Sequence, residues 1–163
     1  MSVARNLADS VGSSGLVLPS GSVLQVVQDT ELTGLTTTST SFADNAGLSV
    51  SITPQSTSNK ILVLAQFGMY AGNSWSGGIG YYTIFRDSTN LGDSTVGAVA
   101  IYQNVSGSAT QAGSINYLDS PATTSAITYT MQMKTGNASH SIGTGSYGAG
   151  NGINSITVME IAG

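Results

Sequence analysis

Cysteine is missing from all 163 residues, which leaves the chain no disulfide framework, thiolate metal site or cysteine nucleophile. Charge is almost missing as well. Four Lys and Arg stand against eight Asp and Glu, 7% of the sequence and a formal net charge of −4, where a soluble surface ordinarily carries about 25–35% charged residues. The negative sign is wrong for a protein that neutralises phosphates, so no nucleic-acid partner is expected. Histidine occurs once, at His140; one imidazole cannot build a two-histidine metal centre, and no H-E-x-x-H pattern occurs. Long apolar runs are absent too: the longest, 61–70, is broken by Gln66 and Gly68 and falls short of the ~20 residues a membrane helix needs. The opening MSVARNLADSVGSSG holds one Arg and no signal-like apolar stretch, so a chain made in the cytoplasm and not inserted in a membrane is expected.

What remains is 40% hydrophobic residues in a background of Ser, Thr, Asn, Gln and Gly. The length fits one domain, and a fold of roughly 150 residues buries about 68–70% of the surface of its unfolded chain, enough for a core without staples. The outside must then be hydrogen-bonding but uncharged. Such a surface can be covered by another subunit without stranding an ion.

Short runs rich in β-branched and aromatic residues predict strands over 22–28, 48–53, 60–70, 80–86, 96–103, 112–118, 126–134 and 155–161. In LSVSIT (48–53), Leu48, Val50 and Ile52 fall on one face and Ser49, Ser51 and Thr53 on the other. In AITYTMQMK (126–134), Ile127, Tyr129, Met131 and Met133 oppose Thr128, Thr130, Gln132 and Lys134. Turn clusters at 54–59, 87–93, 104–108 and 119–125 separate the runs, and Pro54 interrupts the ladder after 48–53. The pattern predicts an all-β fold, an antiparallel β-sandwich of jelly-roll type, over 22–163. Residues 1–21 form a separate arm: a short helix over 4–11, then a Ser, Gly and Pro linker. Its apolar positions Val3, Leu7, Val11 and Leu16 are candidates for attachment to a neighbouring protein.

Catalytic patterns are sparse. No G-x-S-x-G elbow presents a serine nucleophile. Gly143, Gly145 and Gly148 match G-x-G-x-x-G, but no strand-to-helix unit surrounds them. Asp29, Asp44, Asp87, Asp93, Asp119 and Glu160 could supply a carboxylate pair for glycoside cleavage, although most occupy expected turns, where Asp serves the backbone. No EF-hand loop occurs, and no cofactor or metal is expected. Two glycine-rich stretches, 71–80 and 143–152, are either flexible loops or segments ordered by a neighbour or ligand. Trp75 in the first, close to Tyr81 and Tyr82, and Tyr147 in the second are candidate contacts with a receptor or another subunit; each could instead fold back over the core.

Specific strings carry a resemblance: LPSGSVLQVV (18–27), TSF (40–42), ITPQSTSNKILV (52–63), YTIFR (82–86) with NLG (90–92), YLDSP (117–121), TYT (128–130) and ITVMEIAG (156–163). From about Leu18 onward the chain resembles a domain recurring in virion proteins of marine tailed bacteriophages, cyanophages above all, often at the end of a tail fibre. The resemblance implies a β-sandwich head, a homotrimer, a place on the virion tail or capsid, and no catalytic residues. It points to a short tail-fibre-type component for host attachment or tail assembly, joined to other virion proteins through the arm and contacting a host surface glycan. A capsid decoration protein that stabilises the shell is the alternative, and a glycan depolymerase a third.

Overall fold

Alternation of apolar and polar residues along most long runs fixes which side of each strand meets the core. The computed structural model describes residues 11–12, 15–16, 18–44, 46–72, 78–104, 107–145 and 152–163. Its strands, in order, are β1 (Val11–Gly12), β2 (Gly15–Leu16), β3 (Val23–Glu31), β4 (Thr36–Thr37), β5 (Ser49–Ile52), β6 (Lys60–Ala71), β7 (Gly78–Arg86), β8 (Thr89–Asn90), β9 (Val99–Gln103), β10 (Ala109–Asp119), β11 (Ile127–Thr135), β12 (Ile142–Thr144) and β13 (Asn154–Ile161).

Two antiparallel sheets form a sandwich, as the alternation predicts. The first runs β3-β13-β6-β12-β4, with β10 on the opposite side of β6; the second runs β5-β11-β7-β8, with β9 also on β7. Each sheet is organised by one central strand. β6 pairs along its length with β10, while its other side is shared between β13, up to Gln66, and β12, from Met69. At the changeover the Gly68 amide donates to the Asn154 side chain at 2.9 Å, so no backbone donor is stranded.

Ile61, Val63, Ala65, Phe67 and Met69 of β6 face Val50 and Ile52 of β5, Tyr82 and Ile84 of β7, and Tyr129, Met131 and Met133 of β11 in one buried cluster. Removing each large side chain from water contributes about 1.5–3 kcal/mol, which makes this face the main source of stability. Polar ties cross between the sheets. The Ser49 amide of β5 donates to Asp29 of β3 at 2.9 Å. Arg86 of β7 binds Asp119 of β10 at 2.7 Å, and the Tyr129 hydroxyl of β11 donates to the same carboxylate at 2.7 Å.

Some expectations need correction. Val11 is not helical: β1 pairs antiparallel with β2 through Gly12 and Gly15, and a glycine beside Val11 disfavours continuing a helix. Residues 4–10 lie outside the described residues. The strand expected from 96 begins at Val99, because Asp93 and Gly97 exchange backbone hydrogen bonds at 3.1 and 2.9 Å and close a turn there, with Gly97 at φ 68°. The glycine-rich stretch from 143 opens not as a loop but within β12, whose Gly143 fits closely under Leu35. Asp119, expected to open a turn, is instead the last residue of β10.

Candidate functional site

Strand β7 carries two kinds of aromatic side chain because its residues alternate. Tyr82 and Ile84 point inward and are buried, so Tyr81 and Phe85 occupy the outer face of the second sheet. Tyr82, expected at a contact surface, is therefore a core residue. Its hydroxyl donates to the Gly143 carbonyl at 2.6 Å, its ring lies 5.3 Å from that of Phe67, and burial pushes its phenol well above the usual range.

Tyr81 is partly exposed on the outer face. Register places Lys134 of β11 directly opposite it, with the ammonium 5.6 Å from the Tyr81 ring and 4.5 Å from that of Phe42. Phe42 in turn lies 6.1 Å from Phe85 at a tilted angle. A cation over an aromatic face at these distances contributes roughly 0.5–1 kcal/mol where solvent still reaches it. Tyr102 of β9, opposite Ile79 of β7, extends the outer face and is 57% exposed. The turn after β8 borders the patch. There the Asp93 carboxylate accepts the amides of Val96 and Thr95 at 2.8 and 2.7 Å; these bonds, with a smaller pull from Lys134, hold it below the usual carboxylate range.

The result is a partly exposed aromatic surface beside one cation, on the face of a sheet rather than in a cleft. It can stack on a ring or pack against a protein face. Phe42, Phe85, Tyr102 and Lys134 were not singled out from sequence as contact residues. Alternation in GYYTIFR separates Tyr81 and Phe85 from Tyr82, but nothing local ties Phe42 or Lys134 to them. Trp75, Tyr147, Val3 and Leu7 lie outside the described residues, as do the side chains of Val11 and Leu16.

Among the described residues no three acidic side chains gather. Asp87 accepts the Thr128 amide at 2.9 Å, Asp29 that of Ser49, and Asp119 serves Arg86 and Tyr129. Glu160 is fully buried and accepts from Asn59, Gln25 and the Gln55 amide, each at 2.6 Å. Among the described residues no group of three or more His, Cys, Asp or Glu could hold a metal, and no helix is long and apolar enough to cross a membrane. His140 sits in the turn after β11, its amide on the Asn137 carbonyl at 2.9 Å. A groove of about 570 Å³ on the first sheet is lined by Gln66, Gly68, Thr110, Ala112, Ser114, Ile153 and their neighbours, without a titratable group.

No family model and no curated protein matches the sequence. Among solved structures the chain is similar to one from the T13 particle of infectious bursal disease virus, with 13% identity, TM-score 0.41, and 85% of this chain but 36% of that chain covered. It is also similar to chains of the Gx strain of that virus (14% identity, TM-score 0.34, 87% and 34% covered) and of the Gt strain (12%, 0.36, 88% and 39%). The chain spans little more than a third of the length of those viral chains.

Proposed function

We propose that this chain is a non-enzymatic structural protein of a phage virion, of the short tail-fibre type, contributing to host attachment or tail assembly. The observation that carries this is the outer face of the second sheet, where the Phe42 and Tyr81 rings flank Lys134, Phe85 packs against Phe42, and Tyr102 stands exposed on the neighbouring strand. Flat aromatic surfaces recognise partners by contact; bond breaking needs convergent groups in a pocket. Support also comes from the resemblance of several strings to those of marine phage virion proteins and from carboxylates already bound to structural donors. A host surface glycan, whose ring stacks on tyrosine, is the partner this face fits. Residues 1–21 would join the head to neighbouring virion proteins.

The test is cryo-electron microscopy of the intact virion at a resolution that traces this chain. Density on the tail or baseplate, with residues 1–21 inserted in a neighbour, is the expected result. Density distributed over the shell would make it a capsid decoration protein. Turnover of host-envelope glycans that disappears when two carboxylates become amides would make it a depolymerase.

A further inference from the structure

Strand β10 pairs with β6 through eleven consecutive residues without a register shift. Among the described residues no strand pairs with its other edge. In an antiparallel ladder, alternate residues turn their N–H and C=O groups away from the partner, so this edge presents a row of unused backbone groups. Folded proteins normally shorten, charge, bulge or cover such an edge.

The other edges of this sandwich follow that rule. β4 and β8 have two residues each, β5 four and β9 five. β3 is longer but carries Asp29 and Glu31, and the Ser49 amide bound to Asp29 ties β5 to it. Among the described residues β10 has none of these devices. Residues 109–118 include no charge and no proline, and Asp119 is 5% exposed and locked to Arg86. Tyr117 and Leu118 add exposed apolar surface, at 40% and 51%. Leu118 also ends a row of apolar residues that register aligns across the outer face of the first sheet: Val26, Met159, Leu62, Leu118.

We infer that the free edge of β10 is a self-pairing surface, where two copies of this chain join by an antiparallel β10–β10 ladder about a twofold axis. A second copy is the occupant that the edge itself specifies. An uncharged edge selects no oppositely charged partner, and two chains of net charge −4 meet there without like charges opposed. A strand paired antiparallel with its own copy also satisfies both edges in one closed contact. The inference is independent of a virion role: a dimer absent from virions would overturn only the proposed function.

Sedimentation of the purified full chain tests it. The wild type is expected to run as a dimer, and S114K/N116K, which places lysines at exposed positions of the edge, as a monomer with an unchanged far-UV spectrum. A wild type that stays monomeric at its highest soluble concentration overturns the inference. So does an oligomer, a trimer included, whose mass the lysines leave unchanged. Because the chain has no cysteine, Ala112→Cys, Ser114→Cys and Asn116→Cys each introduce a unique thiol. One of them is expected to form a disulfide-linked dimer well ahead of the others, since opposed residues in such a ladder have Cα atoms about 4.5–5.5 Å apart. Should the lysine variant fail to fold, this series decides, and no cross-link at any position overturns the pairing.

Discussion

The Asn59 side-chain amide donates to the Glu160 carboxylate at 2.6 Å, fastening the turn between β5 and β6 to strand β13. Burial pushes this carboxyl up, but hydrogen bonds from Asn59, Gln25 and the amides of Gln55 and Ser56 outweigh it and hold the group below the usual carboxylate range. A depressed folded-state pKa contributes stability that is present above the unfolded value and lost as pH falls through the folded one. The melting temperature should therefore drop on acidification from about pH 4.5 downward. Glu160→Gln should remove part of that drop while costing about 1–3 kcal/mol at pH 7, because its amide hydrogens oppose the Asn59 and Gln25 donors. Denaturant unfolding at the two pH values measures both effects.

Arg86→Met leaves Asp119 buried with its hydroxyl and amide donors but no cation. Removing one partner of a buried pair costs about 3–5 kcal/mol; Arg86 is 24% exposed along its side chain, which puts the expected loss at the lower end. Tyr129→Phe, which deletes only a donor to the same carboxylate, should cost roughly 1 kcal/mol. Equal losses for the two variants in urea titrations would contradict this ordering.

Alkaline titration followed by tyrosine absorbance should leave two phenols silent until the protein unfolds. Burial raises the Tyr82 and Tyr129 phenols, and for Tyr129 the neighbouring Asp119 raises it further. With folded values above the unfolded pKa of about 10, their contribution is intact below pH 10 and declines as pH rises beyond it. Tyr129→Phe should flatten part of that decline.

Gly97→Ala combines two costs. Its φ of 68° is left-handed, about 1–2 kcal/mol for a residue with a Cβ, and that Cβ would sit 2.6 Å from the Tyr82 carbonyl oxygen. Gly21→Ala meets only the first cost, since φ is 87° with nothing within 4 Å. Thermal melts should rank the Gly97 variant clearly below the Gly21 variant.

Tyr102→Ala should leave stability within about 0.5 kcal/mol of the wild type, as an exposed side chain does, and reduce adsorption of virions to host cells. Combined with Lys134→Met, which removes the cation from the Phe42 and Tyr81 rings, the adsorption defect should deepen. Normal adsorption of the double variant would remove the aromatic face from the attachment mechanism.

The long strands were legible in the sequence because one-sided burial writes itself as alternation: LSVSIT and AITYTMQMK each display their buried faces directly. β4, β8 and β12 were not, since two or three residues have no period. Tyr81 and Tyr82 looked alike as neighbours in sequence, though adjacent strand residues face opposite ways. Lys134 meets Tyr81 through the β11–β7 register and Phe42 through a bridge between Ala43 and Met133, neither encoded near either residue. Glu160 resembled a free carboxylate because its donors lie 101 and 135 residues away, at Asn59 and Gln25.

The position of β13, between β3 and β6 in the first sheet, sets an order of events during synthesis. β3 is made well before its ladder partner, which is complete only with residues 154–161, so β3 and one side of β6 wait unpaired while the intervening residues are translated. Non-local pairing of this kind is slow and leaves strand edges open to other nascent chains. Yield in a heterologous cell should accordingly depend on translation rate and chaperone supply more than on the stability of the finished sandwich.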